Sequence, residues 1–317
     1  MKKNKVVFSI IIPVRQTNPY LKENLQQLKK QSFKDFEVLV IDDQISATPN
    51  PAQKRNIGAK MAKGKYLAFL DDDSYPAKDW LKNAFKLFQQ QKNISAVCGR
   101  ALTPPQDSLL QQTSGLFHSS FLGSGGAGQY RNKIKSARYI DDYPSVNLIV
   151  EKSDFKKIKG FDTYYWPGED TILCLNLTKK LGKKILYHPS LIVHHHRRAI
   201  FKPHLAQIKR YAIHRSFFAK KFPQTSLKIG YFTPTIFLLY LLSLPFLSKL
   251  SQLYFFPLYT YIILLTITFV SFLIKHSLLL SILATITIPV THLYYGFYFI
   301  IGLLKKNVYF QPRQDKL

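Results

Sequence analysis

The chain contains 317 residues, enough for one large domain and a further region. Its 46% hydrophobic and 20% charged residues are ordinary for a folded protein, and two cysteines, Cys98 and Cys174, exclude a disulfide-stabilised scaffold and fit a reducing cytosol. The formal net charge of +27 indicates an anionic partner, which could be nucleic acid, lipid headgroups or phosphorylated substrates.

The first hundred residues alternate strand and helix patterns. The segment "VVFSIIIPV", after "MKKNK", imitates a signal peptide, but it is short and lacks a small-residue cleavage site, so we predict a buried strand. The elements that follow are a helix, a strand, a helix closed by Gly64 and a third strand: "NPYLKENLQQLKKQ", "FEVLVIDD", "NPAQKRNIGAKMAKG" and "KYLAFLDDD". This order predicts an α/β fold with a parallel sheet and right-handed crossovers.

Each of these three strands ends in residues suited to a ligand site: Pro13 and Arg15, Asp42 and Asp43, and Asp71 to Asp73. Because ligands bind at the carboxyl ends of the strands in such sheets, we expect the three groups to share one site. Asp71 and Asp73 could contact a ribose hydroxyl and a divalent metal, whose charge would neutralise a diphosphate. The alternative is a solvated turn that caps the helix "AKDWLKNAFKLFQQQ".

The segment "GSGGAG", residues 123–128, matches the pattern GxGxxG. No strand pattern precedes it and no helix start follows, so a dinucleotide-binding fingerprint is not expected. We predict a flexible loop instead.

Residues 143–198 contain a strand, a short helix ending at Gly160, an aromatic loop, a helix that begins near Glu169 and Asp170, and a final strand. The acidic pair could simply cap its helix. Alternatively, a carboxylate in a pocket formed by Tyr164, Tyr165 and Trp166 would have a raised pKa and could act as a general base.

Three consecutive histidines, His194 to His196, fall in the final strand. Side chains alternate along a strand, so His194 and His196 should face one way and His195 the other, and the three cannot bind one ion without a bend. Neutral imidazole is a good ligand for a cation such as manganese. A pH-sensitive surface tract is the alternative.

The last third of the chain is apolar. Residues 231–304 include only two basic residues and no acidic ones, and three apolar runs span residues 231–248, 253–274 and 278–304. Since about 20 apolar residues cross a bilayer, the second and third runs qualify as membrane spans and the first is borderline.

The basic residues before and after these runs do not agree on one orientation of the runs in the membrane. Nine basic residues lie between Arg197 and Lys228, just before the first run, where they would bind anionic lipid and mark the cytoplasmic side. Three full spans would then export the basic tail "KKNVYFQPRQDKL", against the positive-inside tendency. Either that tendency fails here or one run is interfacial or re-entrant, and the first run and "THLYYGFYFII" are the candidates.

Five motifs in this order resemble a family 2 glycosyltransferase of the GT-A fold: "SIIIPVRQTN", "VLVIDDQ", "KRNIGAKMAKGKYLAFLDDDSYP", "GFDTYYWPGEDTILCLNL" and "VHHHRR". The resemblance covers nearly all of residues 6–215, and with the apolar runs the chain is similar to membrane-anchored members that build bacterial exopolysaccharides and glycolipids. It implies a Rossmann-like nucleotide-binding half with a mixed sheet, followed by transmembrane or interfacial helices. We expect a catalytic domain at residues 1–196, basic interfacial helices at 197–230, a membrane region at 231–304 and a basic tail at 305–317.

The resemblance also implies roles for individual residues. Asp42 or Asp43 would bind the donor's base, expected to be uracil, and Arg55 would help to hold the nucleotide, near Pro13 and Arg15. Asp71 and Asp73 match the DxD motif that binds ribose and metal, Mn²⁺ or Mg²⁺. Asp170 matches the base of the "ED" motif, with Glu169 and Trp166 on the acceptor side.

Two matches depart from the family pattern. A metal-binding histidine placed two residues after a valine favours His195, although its neighbours stay open. The segment "QIKRY" is similar to the QxxRW motif of processive synthases, with Tyr211 in place of Trp. Arg210 would then bind the diphosphate, and Gln207 and Tyr211 would border the acceptor entrance; the alternative is an amphipathic surface helix without substrate contact.

The resulting prediction is an inverting, metal-dependent glycosyltransferase in the bacterial plasma membrane, with its catalytic domain in the cytoplasm. It would move a sugar from a nucleotide sugar, expected to be a UDP-sugar, to a lipid-linked or growing glycan acceptor, with membrane lipids but no nucleic acid as further partners. The enzymatic alternative is a polyprenyl-phosphate glycosyltransferase, which needs no strong base. A non-enzymatic basic membrane anchor that binds acidic polymer would leave the acidic strand ends unexplained.

Overall fold

The computed structural model describes residues 6–132 and 136–308 and divides into two compact units. One unit comprises residues 6–102 and 136–196, and the other comprises residues 103–132 and 197–308. The strands are β1 Phe8–Pro13, β2 Phe36–Ile41, β3 Tyr66–Phe69, β4 Ser74–Pro76, β5 Ile94–Cys98, β6 Ala101–Leu102, β7 Arg138–Ile140, β8 Leu148–Glu151, β9 Lys184–Tyr187 and β10 Val193–His195. The helices are α1 Pro19–Lys29, α2 Asp43–Ser46, α3 Pro51–Met61, α4 Trp80–Gln90, α5 Leu109–Ser119, α6 Phe121–Asn132, α7 Lys152–Lys157, α8 Glu169–Leu175, α9 Lys202–Lys221, α10 Pro223–Ser226, α11 Ile229–Leu247, α12 Phe256–Leu273 and α13 Leu278–Leu304.

The first unit is built on a mixed sheet with the strand order β2-β1-β3-β8-β5-β9-β7. The predicted parallel arrangement of the first three strands is confirmed, because β1 pairs in parallel with both β2 and β3. β8 then runs antiparallel to β3 and β5, which makes the sheet mixed as the GT-A resemblance implies. A smaller sheet places β10 between β4 and β6.

The sheet core explains why these segments become strands. All six residues of β1 are buried, as expected for a strand covered on both faces. Phe8, Ile10 and Ile12 pack in one apolar cluster with Trp80 of α4. Each apolar side chain of this size contributes about 1.5–3 kcal/mol when it is fully buried.

Helix α3 ends before the predicted position. It stops at Met61 rather than at Gly64. Gly64 serves a different purpose: a Cβ there would lie 2.6 Å from the backbone nitrogen of Ser9, so only glycine allows the chain to pass this close to β1.

The second unit is helical in its described residues, and it corrects the prediction for residues 123–128. These residues lie in α6, not in a loop, and only Gly125 departs from helical dihedral angles, with φ 64° and ψ −172°. The Ser120 hydroxyl accepts a hydrogen bond from the Gly123 amide at 2.9 Å. A Cβ on Gly123 would lie 2.5 Å from the Phe117 carbonyl oxygen, so the glycine permits close packing against α5. The sequence suggested a loop because intrinsic propensity disfavours glycine in helices, and tertiary packing overrides it here.

Three segments of this unit are long and apolar enough to cross a membrane: Ile229–Leu247, Gln252–Leu273 and Leu278–Leu304. In the first two, 6% of the most apolar stretch is buried within the protein, against 33% in the third. The predicted basic tail extends to residue 317, and its part from residue 309 onward lies outside the described residues, as do residues 1–5.

Candidate active site

The ends of β1 and β2 meet because the two strands are parallel and in register, with Pro13 opposite Ile41. The Asp43 amide donates to the Arg15 carbonyl oxygen at 3.2 Å, which joins the two following turns. Asp42 caps α2 by accepting from the Ile45 amide at 2.8 Å. The carboxylate of Asp43 pairs with the buried ammonium group of Lys54. The predicted residues at these two strand ends are therefore neighbours.

After β3, each of the three consecutive aspartates contacts a different partner. Asp71 pairs with Arg55 at 2.6 Å, Asp72 accepts from the Asn18 side chain at 2.6 Å, and Asp73 lies 3.3 Å from His195. Three adjacent carboxylates repel one another, and these separate partners offset that repulsion. Sequence reasoning missed Asn18, whose side chain also caps α1 by accepting from the Leu21 amide at 2.9 Å; its position before a helical pattern was the available signal.

The pairing of β4 with β10 brings Asp73 and His195 together. In this register His195 stands opposite Ser74, and the His196 amide donates to the Asp73 carbonyl oxygen at 3.0 Å. His195 Nε2 lies 3.3 Å from Asp73 Oδ1, whereas the His194 ring stacks on Tyr75 with the ring centroids 4.9 Å apart. His196 instead contacts Glu23, at 3.1 Å, so the histidines alternate as β-strand geometry predicts.

The Asp73 and His195 donors fit a divalent transition metal, since carboxylate oxygen and imidazole nitrogen together suit manganese. Within residues 6–132 and 136–308, no group of three or more His, Cys, Asp or Glu side chains is arranged to hold a metal ion. Asp71, the third predicted ligand, is engaged with Arg55. Two protein ligands leave several positions of a divalent ion for substrate oxygens and water.

Arg55 connects the end of β3 with the start of α8. One terminal nitrogen lies 2.6 Å from Asp71 Oδ1 and the other lies 3.1 Å from Glu169 Oε1. The guanidinium carbon lies 5.5 Å from the centre of the Phe161 ring, and Arg55 is only 4% exposed. Burial alone would lower the pKa of Arg55, but the surrounding carboxylates raise it above its ordinary value. Arg55, expected to hold the nucleotide, thus binds two carboxylates in this structure.

Helix α8 begins at the acidic pair. Gly168, at φ 131°, precedes it in a conformation that favours glycine. Asp170 Oδ1 is buried and has no hydrogen-bond partner among the described residues, while Ser145 bonds the carboxylate through its hydroxyl and its backbone. Burial raises the pKa of Asp170 to about 6, although Arg55 opposes the shift.

Glu169 is more deeply buried than Asp170. Burial and the charge of Asp170 raise the pKa of Glu169 above its ordinary value, and the ion pair with Arg55 opposes this shift and favours the charged carboxylate. Of the aromatic residues predicted to form the pocket, Tyr164 is 58% exposed, and Trp166 lies in the loop before α8. Sequence reasoning missed Ser145 and Phe161, because no local pattern signals a contact that only the folded sheet creates.

Gln207, Arg210 and Tyr211 lie on α9, in the second unit. Gln207 donates to the Tyr211 hydroxyl at 3.0 Å, as the spacing of four residues allows on one helix face. Arg210 is partly buried, and Tyr211 is 42% exposed.

Comparison with known proteins identifies the family of this chain. A sequence model described as glycosyl transferase family 2 matches residues 45–138, a range that includes Arg55, Asp71 and Asp73 but ends before α8 and β10. An uncharacterized glycosyltransferase from Haemophilus influenzae is 30% identical in an alignment of 215 positions that covers 58% of this chain and 76% of that protein. The chain belongs to glycosyl transferase family 2.

Two further relatives differ in how much of their length this chain covers. A dolichyl N-acetyl-alpha-D-glucosaminyl phosphate 3-beta-D-2,3-diacetamido-2,3-dideoxy-beta-D-glucuronosyltransferase from Methanococcus voltae is 24% identical over 96% of this chain and 99% of its own length. A pre-mycofactocin glycosyltransferase from Mycobacterium tuberculosis is 25% identical over 60% of this chain, and the chain spans only 43% of that relative.

The predicted GT-A fold is supported by a solved mannosyltransferase from Pyrobaculum calidifontis in complex with GDP-Man and Mn²⁺. Its TM-score is 0.53 at 16% identity, and the match covers 95% of this chain and 88% of that one. At this identity the likeness shows a shared fold alone.

Proposed function

We propose that this chain is an inverting glycosyltransferase that moves a sugar from a UDP-sugar to a lipid-linked or growing glycan acceptor at the cytoplasmic face of a membrane. The observation that carries the proposal is the double ion pair of Arg55, which holds Asp71 at the end of β3 and Glu169 at the start of α8 on one side chain. Asp170, the next residue of α8, is thereby kept near the donor end of the sheet. A base and a donor site must be this close for direct transfer between them.

On the donor side, Asp42 or Asp43 would accept hydrogen bonds from the base, and Asp71 would contact the ribose. Asp73 and His195 would hold a divalent ion, which is most consistent with Mn²⁺ because Mg²⁺ prefers oxygen ligands alone. Such an ion would stabilise the negative charge that develops on the departing diphosphate. The solved mannosyltransferase with GDP-Man and Mn²⁺ shows that the fold accommodates both components in that protein.

On the acceptor side, Asp170 would accept the proton of the attacking hydroxyl group. The acceptor oxygen forms a bond to the anomeric carbon as the bond from that carbon to the diphosphate oxygen breaks, and this single displacement inverts the anomeric configuration. The raised pKa of Asp170 suits this role, because a base with a pKa near 6 is ionised at neutral pH yet binds a proton more readily than an ordinary aspartate. The lipid-linked acceptor is supported by the Methanococcus voltae relative, whose name specifies a dolichyl phosphate sugar.

Asp73→Ala should weaken the metal-dependent binding of UDP. We expect UDP to bind the wild-type protein in the presence of Mn²⁺ and, after Asp73→Ala, to bind at least about tenfold more weakly, which corresponds to about 1.4 kcal/mol. Isothermal titration calorimetry with and without a chelator measures both affinities. Asp72→Asn is the matched control, since Asp72 contacts Asn18 instead of His195. Equal loss in both variants, or no UDP binding at any Mn²⁺ concentration, would contradict the proposal and favour a non-enzymatic anchor.

The transfer rate should rise with pH through the acidic range. Asp170 acts as a base only when it is ionised, and burial raises its pKa to about 6, so kcat/KM for the acceptor should increase as the pH rises through about 6 and level off above it. Initial rates of UDP release, measured at constant Mn²⁺ between pH 5 and 8, would show this rise of kcat/KM with pH. A rate independent of pH over that range would argue against Asp170 as the base.

A further inference from the structure

Helix α13 is long and apolar enough to cross a membrane, but its contacts with helices α9 and α5 are not compatible with a membrane-spanning position. We infer that α13 lies along the membrane surface without crossing it, so that the residues after Leu304 remain on the same side as the basic helix α9. The contacts that support this position all lie within the helical unit and are independent of the transferase chemistry.

Helix α9 packs side by side with the second half of α13, and contacts join the two helices along their length. His204 Nε2 lies 3.1 Å from the Thr291 hydroxyl, and Lys209 Nζ lies 4.8 Å from the centre of the Tyr298 ring. Further along, a Cβ on Gly302 would lie 1.9 Å from the Ser216 hydroxyl oxygen.

The contact that ends this series is at the end of both helices. Lys220 Nζ donates to the Leu303 carbonyl oxygen and, at 2.9 Å, to that of Lys305. The partners follow the same order in both helices, so α9 and residues 291–304 are parallel and lie at the same depth.

Helix α9 cannot lie in hydrocarbon. It contains six Lys and Arg residues from one end to the other: Lys202, Lys209, Arg210, Arg215, Lys220 and Lys221. Lys209, near its middle, and Lys220, in its last turn, are exposed. Charged side chains in the bilayer core are costly and rare, so α9 must lie at the headgroup level or outside it. Residues 291–304 of α13 therefore lie there too.

The remaining part of α13 is too short to cross. Residues 278–290 number 13, and at 1.5 Å per residue they extend about 20 Å, well below the hydrocarbon thickness of about 30 Å. This part also packs against α5, where Leu116 and Phe117 join Ala284 and Ile288 in one apolar cluster. Both ends of α13 are thus on one side of the membrane.

The apolar surface that would face lipid belongs mainly to α11 and α12. Leu242 and Phe246 of α11 are 62% and 71% exposed, and Phe256 and Ile263 of α12 are 70% and 59% exposed. Helix α11 begins directly after Lys228, and α12 is joined to α13 by residues 274–277. Since α9 and α13 lie on one side, the α11–α12 pair must enter and leave the membrane on that side. This arrangement keeps Lys305 and Lys306 with the basic residues of α9, in agreement with the positive-inside tendency.

Cysteine labelling in sealed vesicles tests this topology. Lys306→Cys is compared with Lys221→Cys in the full-length protein, because both lysines are exposed and Lys221 lies on α9. Cys98 and Cys174 are buried, and the unmodified protein gives their background reaction. A membrane-impermeant maleimide is added to right-side-out and to inverted vesicles, and Asn307→Cys provides a second position after α13.

We expect the cysteines at 306 and 221 to react in the same vesicle orientation and to be protected in the other. Reaction in opposite orientations would show that α13 crosses the membrane and would overturn the inference. Failure of both Lys306→Cys and Asn307→Cys to react in either orientation, while Lys221→Cys reacts, would also contradict it, because an interfacial helix end must be accessible.

Discussion

Asp170→Asn is expected to reduce kcat for sugar transfer by about 10²–10⁴-fold, the range that a positioned general base contributes. The amide keeps the shape of the carboxylate and can still contact Ser145, but it cannot accept the proton of the acceptor hydroxyl. Donor binding should be unchanged, because Asp73, His195 and the strand ends are untouched. Transfer measured as UDP release, together with UDP affinity from calorimetry, checks both halves of this prediction.

Asp162→Asn is the matched control for that experiment. Asp162 lies in the loop before α8 and its carboxylate accepts from the Tyr164 amide at 2.7 Å, so the substitution changes an aspartate nearby without altering the proposed base. We expect it to retain nearly the wild-type rate. If Asp170→Asn still transfers sugar to a polyprenyl phosphate, whose oxygen needs no deprotonation, the protein would instead be a polyprenyl-phosphate glycosyltransferase.

The sequence predicts the parts of the site that depend on local pattern. Strands β1 to β3 are recognisable from short apolar runs, and the parallel order follows from the alternation of strands and helices. Because parallel strands end at the same edge of a sheet, Asp42, Asp43 and Asp71 were expected along one edge. The orientation of His195 followed from the twofold alternation of a strand in the same way.

Long-range pairing was not accessible from the sequence. The contact of Arg55 with Glu169 joins residues 114 positions apart, and only the folded chain brings α3 and the start of α8 together. A lone arginine before a strand pattern resembles a phosphate ligand as much as a structural ion pair. The helix at residues 121–132 was missed for a related reason. Glycine has a low intrinsic preference for helices, and close contacts of the glycines in this segment with α5 stabilise the helix instead.

Arg55→Met is expected to destabilise the first unit by about 3–5 kcal/mol, the usual effect of removing one partner from a buried ion pair. The substitution leaves Glu169 buried without its counter-charge and removes the partner of Asp71. Thermal unfolding in detergent should show a lower transition temperature than the wild-type protein. Lys60→Met is the matched control, because Lys60 is exposed on the same helix, and it should leave that temperature nearly unchanged.

The double variant Arg55→Met/Glu169→Gln separates folding from positioning. Neutralising Glu169 removes the uncompensated buried charge, so most of the lost stability should return. The rate of sugar transfer should not recover together with the stability. Without Arg55, no side chain would bind both Asp71 and Glu169, and Asp170 would no longer be held at a fixed distance from the donor. A lower kcat with unchanged UDP affinity in this stable double variant is the result that a purely structural arginine would not produce. If the double variant regains the full rate, the ion pairs of Arg55 stabilise the fold without positioning the base.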